Sequence, residues 1–504
     1  MKEMRTKILM VAAVALMAMV SCTKEENNPG EPQVTPPSYY IDFTANIPSE
    51  DTSKPQLAQD TKTGYDSKSG KTKWLEGDEI AVNGKKFAVV ELIDGGLSAR
   101  FENREELGEF GVEFKEPYTA VYPYNKTQNT TVVPHEQTLT AGTFADEAIA
   151  AVAYSESERT LSFKHVSTYL RFTVATAGLT ELEFTSAGDI AGTITVNANE
   201  GGDPTYEVSE GKNTIKAIPA SDTFEVGQSY YISVLPTLGS ADVKQKLEIK
   251  SEGVTVKSGN VRFKRNVPAK LENLTVNYTY LKPSLVWGIA SPRYAAYFFE
   301  GDANIWVNMT DTDNDGVYRA VVPEGDYTTL IYCRMDPKKN DNNWENKWSQ
   351  TVDLKIPTDT KSAYIVKPLT WDKGDGTWDT LANAKDYEEN TVYLKPSTNW
   401  KTDSPRFSIY LCNGTAQAQW KDMIYLDGNY YGVELPNGFN KTLYKNIIFC
   451  RMKPGTDHSW NNPPLWGQTN DLQTSQITDS KYRCCKITST DWNKPTVSWS
   501  KKLD

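Results

Sequence analysis

Two polar loops carry the side chains with the most to offer a ligand. One follows Cys333-Arg334-Met335 and holds Trp344, Trp348 and Gln350; the other follows Cys450-Arg451-Met452 and holds Trp460, Trp466 and Gln468. Asn, Asp and Lys fill the rest, and nothing in such a loop by itself requires two large apolar rings near solvent. An indole or phenol presents a flat apolar face, while neighbouring amide, guanidinium and carboxylate groups exchange hydrogen bonds with hydroxyls. Together they suit a polyhydroxylated ring with an apolar C–H face and a polar rim. The same indoles could instead fold back as a lid over an apolar core. With the aromatic residues of preceding segments, the candidate binding sets are Tyr297, Trp306, Trp344, Trp348 and Gln350, and Tyr410, Trp420, Trp460, Trp466 and Gln468. Trp306 and Trp420 are the members most readily read as core. Catalysis has little support, because no nucleophile elbow, metal-ligand run or phosphate loop occurs and the chain has three histidines. A two-carboxylate hydrolase would have acids enough, yet no βα alternation surrounds them. A binding chain without cofactor or metal is expected.

The elements that must hold these loops are written twice. Tyr280-Leu281-Lys282-Pro283-Ser284 returns as Tyr393-Leu394-Lys395-Pro396-Ser397, and at the same displacement of 113 Trp287 falls on Trp400, Tyr297 on Tyr410 and Pro323 on Pro436. The displacement grows to 117 at Cys333 and Cys450 and to 118 at Gln350 and Gln468, so small loop insertions separate equivalent elements. This duplicated region, 280–504, contains twelve of the 13 tryptophans. Strand-sized apolar segments separated by glycine-containing turns give each copy an immunoglobulin-like β-sandwich as its natural architecture. Asp311-Thr312-Asp313-Asn314-Asp315-Gly316 opens like a calcium loop, but Val322 stands at its twelfth position, so a tight hairpin turn is the favoured reading. Cys333 and Cys450 read as buried small side chains; Cys412 with Cys484 or Cys485 remains open as a disulfide.

Ahead of the repeat, residues 39–278 show short alternating strands broken by Gly, Pro, Asn and Asp, again as in β-sandwiches. The N-terminus places Lys2, Arg5 and Lys7 before an uncharged run, Ile8 to Val20, that is short for a membrane span and right for a signal-peptide core. Net charge is -11, and no cationic cluster is interleaved with aromatics, which argues against nucleic acid.

Four resemblances follow from quoted residues. Met19-Val20-Ser21-Cys22 resembles the lipobox of bacterial lipoproteins, and Lys24-Glu25-Glu26 looks like the surface-export signal of Bacteroidetes lipoproteins. They imply lipidation at Cys22, an outer-membrane anchor and cell-surface exposure. Trp74-Leu75-Glu76-Gly77-Asp78-Glu79-Ile80, Tyr118 to Tyr124 and Leu161 to His165 resemble the fimbrillin-like proteins of Bacteroidetes, which implies two β-sandwich domains. Tyr393-Leu394-Lys395-Pro396 with Trp400, Tyr410, Trp420, Ile447-Ile448-Phe449 and Gln468-Thr469, and their first-copy counterparts, resemble starch-binding carbohydrate-binding modules of family 26. That implies α-glucan binding through strand aromatics and the glutamine, although Phe299 and Cys412 stand where the family has a further tryptophan. The expected organisation is all-β: residues 1–21 signal peptide, 22–38 lipidated tether, 39–150 and 151–278 fimbrillin-like sandwiches, and 279–384 and 385–504 carbohydrate-binding-type modules. Two functions compete, a surface polysaccharide binder, acting alone or within a glycan-uptake complex, and a fimbrial subunit, anchor or adhesin component. Exposed, coplanar rings would mark the first; an apolar groove or unpaired strand edge would mark the second.

Overall fold

The computed structural model describes residues 42–46, 65–66, 71–103, 115–127, 129–145, 148–199, 202–236, 244–265, 269–359, 361–414 and 418–504. The signal peptide, Cys22 and the tether lie outside them. Among the described residues the only α-helices are Leu381–Asp386 and Ser475–Thr478, and none is long and apolar enough to cross a membrane. The chain is all-β, as the alternation requires: Leu182–Ser186 and Thr214–Pro219 bury every second side chain.

Eight strands form the first sheet in the order Thr160–Ser162, Asp42–Asn46, Ser98–Glu102, Lys85–Ile93, Glu79–Val82, Tyr118–Tyr122, Ala151–Ser155 and Lys164–His165. Its two margins are neighbours in sequence, joined through the fully buried Phe163. Trp74 fills the core, its ring edge-on to Phe101, Tyr122 and Phe163 at 5.0, 5.2 and 5.3 Å and its Nε1 donating to Ala45 O at 3.1 Å. The lone tryptophan of the front half is therefore structural.

The next sheets interleave with the first. Thr130–Val133 pairs with Gly192–Asn197, and Glu136–Leu139 pairs in parallel with Thr214–Pro219, whereas Ala151–Ser155 returns to Tyr118–Tyr122. A cut at residue 150, where the sequence suggests a boundary, would separate paired strands on both sides. Chain order alone could not reveal the exchange, because alternation fixes which face of a strand is buried and leaves its partner open.

The duplicated modules share one topology. In the first, Tyr318–Val321, Tyr278–Lys282, Ser362–Val366 and Gly376–Thr380 face a sheet of Ala303–Met309, Arg293–Glu300, Thr329–Met335 and Lys347–Gln350. In the second, Tyr430–Glu434, Thr391–Lys395, Cys484–Ile487 and Val497–Ser500 face Ala418–Asp422, Arg406–Cys412, Asn446–Met452 and Leu465–Gln468 in the same order, with Ile424–Leu426 added at one edge. Trp287 and Trp400 are fully buried between the sheets, stacked nearly parallel on Tyr294 and Phe407.

The modules also pack on each other. Val286 and Ile289 of the first cluster with Tyr393, Leu426, Tyr430, Cys484 and Leu503 of the second. At Gly432 a Cβ would lie 2.4 Å from the Leu369 side chain and 2.9 Å from those of Leu426 and Tyr393, so any larger residue would have to displace these side chains from the junction. Glu389, 7% exposed, accepts from Leu285 N at 2.6 Å, Tyr393 OH at 2.6 Å and Thr391 Oγ1 at 3.0 Å. Burial raises its pKa, partly opposed by these hydrogen bonds and Arg483. With the folded pKa above the unfolded one, the stability this group contributes is complete below the ordinary carboxylate range and is lost as pH rises through the raised value. Glu389→Gln should remove that dependence: relative to the unsubstituted chain, its melting temperature should gain steadily as pH climbs from the carboxylate range toward neutrality. A difference that stays constant with pH would mean that burial does not penalise the carboxylate.

Candidate functional site

Strand alternation places two faces on Arg293–Glu300. Tyr294, Ala296 and Phe298 point into the sandwich, while Ala295, Tyr297 and Phe299 point outward. Trp306 pairs directly opposite Tyr297, and Trp344 arrives from the loop above. The three rings form a closed cluster: Tyr297 to Trp306 4.8 Å, Tyr297 to Trp344 4.7 Å and Trp306 to Trp344 4.8 Å between centroids. The second module repeats it with Tyr410, Trp420 and Trp460, all three centroid separations being 4.8 Å. Trp344 is 46% and Trp460 45% exposed. Interplanar angles run from 49° to 83°, so each cluster is an angled cradle. The coplanar rings expected of a flat platform are absent from these triads. Trp306 and Trp420 join the outer cradle, outside the sandwich core.

Gln350 and Gln468 border the cradles, opposite Cys333 and Cys450. Lys347 Nζ donates to Gln350 Oε1 and lies 4.9 Å from the Trp344 ring centroid. In the second module Leu465 occupies the position of Lys347, facing Met452 as Lys347 faces Met335.

Trp348 and Trp466 part company with the triads. Each is the extra residue of a β-bulge: Arg334 pairs with Ser349 and Met335 with Lys347, skipping Trp348, and Arg451 pairs with Gly467 and Met452 with Leu465, skipping Trp466. The bulge turns each indole onto a buried guanidinium. Arg334, 1% exposed, lies between Trp348 at 4.8 Å and Trp371 at 4.4 Å, its Nε donating to Trp287 O at 2.7 Å and its Nη2 to Ile289 O. Arg451 lies likewise between Trp466 at 4.9 Å and Trp492 at 4.4 Å, donating to Trp400 O and Thr402 O and pairing with the Asp403 carboxylate at 3.2 Å. One face of each bulged indole is thereby committed to cation–π packing. Trp371 and Trp492 were not among the candidates; they are repeat equivalents at a displacement of 121, beyond the segments that match most plainly.

The frame beneath the cradles differs. In the first module Arg293, Asn308 and Asn342 are hydrogen-bonded together, with Asn342 Nδ2 donating to Asn308 Oδ1 at 2.9 Å. In the second, Asp422 accepts from Arg406 Nη1 at 2.5 Å and Ser408 Oγ at 2.6 Å and lies 3.0 Å from His458 Nε2. The carboxyl sits below its usual range; burial acts to raise it and is outweighed by bonds from Ser408 and His458 and the Arg406 charge. Ser408, Asp422 and His458 resemble a hydrolytic triad only in composition. One imidazole nitrogen faces both hydroxyl and carboxylate, so no relay runs across the ring, and Ser408 is fully buried. His458 stacks on Trp420 at 5.0 Å and 17°, lengthening this cradle on one side, whereas Phe299, 5.5 Å from Tyr297, lengthens the other module's and Cys412 replaces it here.

Two further expectations meet the geometry here. Cys333, Cys412, Cys450, Cys484 and Cys485 are all free and buried, so the bridge left open for Cys412 is not formed. Burial pushes the Cys333 thiol up to about 12. Asp311, Asp313 and Asp315 do converge, yet Asp311 accepts from the N–H groups of Asp315 and Gly316, closing the turn, and Lys385 Nζ lies 2.6 Å from both Asp313 and Asp315. The ammonium group thus pairs with two of the three carboxylates.

No protein-family model and no curated protein matches the chain. Among solved structures, it is similar to a candidate cell-adhesion protein from Bacteroides ovatus (13% identity, 46% of this chain and 91% of that one, TM-score 0.26) and to a fimbrial assembly protein from Parabacteroides distasonis (12%, 56% and 100%, 0.23). It is also similar to streptococcal family 41 carbohydrate-binding modules that recognise α-glucan (9%, 45% and 98%, 0.16). At these scores the functional reading rests on the chain's own geometry.

Proposed function

We propose that the chain is a surface lipoprotein, anchored through Cys22, whose two C-terminal modules bind a glucose polymer of the α-glucan class. The observation that carries this reading is the twice-built cradle of Tyr297, Trp306 and Trp344, and of Tyr410, Trp420 and Trp460, on the outer face of equivalent sheets, with Trp344 and Trp460 exposed, the other four rings half-buried, and Gln350 and Gln468 at the border. Tilted rings offer stacking faces in more than one direction. They fit a polymer whose successive sugars are rotated against each other better than a flat ribbon. Each cradle is open and shallow, so one alone binds weakly. Two on one chain raise apparent affinity for a long polymer by a factor on the order of 10² to 10⁴ and leave short oligosaccharides weakly held. Residues 39–278 then serve as a spacer, in keeping with their single tryptophan, the buried Trp74.

A second reading has one observation in its favour. Ile424–Leu426 forms a sheet edge with Ile424 51% and Tyr425 61% exposed, the kind of margin on which an assembling strand could add. A glycan array probed with the full chain, and with a chain ending before residue 278, separates the two. The first should be retained on α-glucan and the second lost from it. Equal retention of both would place binding in the front half and end the cradle reading.

A further inference from the structure

The two cradles carry the same aromatic triad, so the residues that differ between them act as an internal comparison. One difference in charge beside the rings lies at a register position on the neighbouring strand, distinct from the exchange of Asn308 for Asp422 in the frame beneath. Opposite Met335 the first module has Lys347; opposite Met452 the second has Leu465. Lys347 Nζ lies 4.9 Å from the Trp344 ring centroid and donates to Gln350 Oε1, and no described carboxylate forms an ion pair with it. An ammonium has three donors, and the glutamine accounts for one. In the second module Gln468 Oε1, out of contact with solvent, has no hydrogen-bond partner among the described residues, as expected where the lysine that would serve it has become leucine.

Building on the proposed glycan reading, we infer that the modules differ in ligand chemistry: Lys347 makes the first cradle selective for polysaccharide bearing an anionic substituent, a carboxylate on the sugar ring, while the second takes the neutral polymer. With one side of Trp344 taken by the ammonium, a sugar seated in the cradle against the remaining ring surface brings its rim groups toward that charge. A carboxylate there gains a charge-assisted hydrogen bond, roughly twice as strong as the hydroxyl contact it replaces. The chain's net charge of -11 opposes an anionic polymer at long range. At ionic strengths near 0.15 M the Debye length of about 8 Å screens that repulsion, whereas a direct contact survives.

The test uses the full chain on two immobilised probes, amylose and amylose oxidised at its primary alcohols to carboxylates. Trp460→Ala leaves the first cradle intact and Trp344→Ala the second. The Trp460→Ala chain should bind the oxidised polymer on the order of tenfold more tightly than amylose, a preference that shrinks as salt is added. The Trp344→Ala chain should favour amylose. Adding Lys347→Leu to Trp460→Ala should erase the preference while keeping amylose binding, and adding Leu465→Lys to Trp344→Ala should create it. Loss of amylose binding in the Lys347→Leu chain, or a preference untouched by that substitution, overturns the inference. If the unsubstituted chain is held by neither polymer, the cradle reading falls and this one with it.

Discussion

Removing Trp344 and Trp460 together should abolish retention on α-glucan and leave the melting temperature within a few degrees of the unsubstituted chain. Each ring is nearly half exposed and packs on its two triad partners, with the Lys347 ammonium besides in the case of Trp344, so truncation opens no enclosed cavity. Either substitution alone should lower apparent affinity for long polymer by a factor on the order of 10² to 10⁴ and affect short oligosaccharides far less, because it removes linkage as well as one site. Affinity electrophoresis in soluble starch, read beside thermal unfolding, checks both halves. A double variant that unfolds would make the rings part of the core; one that binds undiminished would move the site elsewhere.

Arg334→Ala should destabilise the first module by about 3 to 5 kcal/mol, the range for truncating the largest buried side chains. Three losses add. A space opens between Trp348 and Trp371, both cation–π contacts go, and the carbonyls of Trp287 and Ile289 lose their donor in a buried setting. Lysine should not rescue it, since an ammonium can neither lie flat between two indoles nor donate to two carbonyls through a rigid fork. Denaturant titration of Arg334→Ala and Arg334→Lys in the full chain provides the measurement. A loss below about 1 kcal/mol would show that the indoles close on each other without the cation.

What the sequence disclosed was what repeats and what alternates. Trp306 with Trp420, Trp344 with Trp460 and the two glutamines kept their equivalence across small insertions, whereas the continuously apolar run from Tyr294 to Phe299 did not show which of its side chains face outward. The roles of Trp348 and Trp466 were hidden because a bulge reverses the facing that alternation would assign, and a bulge is set by pairing between strands distant in sequence. The exchange of strands around residue 150 was hidden for a related reason: period-two burial reports a face and is silent about the neighbour. The contact around Glu389 was unreadable because the segment joining the modules has the polar composition of a tether, and only the side chains brought from both sides make it a buried junction.

The order of the first sheet decides how the molecule would carry tension. Asp42–Asn46 enters as an interior strand, antiparallel to Ser98–Glu102 from Asp42 opposite Glu102 to Asn46 opposite Ser98, and parallel to Thr160–Ser162 on its other side. A pull on residue 42 along the strand must slide both ladders together, sharing the load over all their hydrogen bonds, whereas an edge strand peeled sideways yields one bond at a time. A molecule held at its N-terminus and gripping a polymer at its far end would meet flow with its first strand as a shear clamp, and its lifetime under load would follow the rate of that rupture more closely than its equilibrium stability.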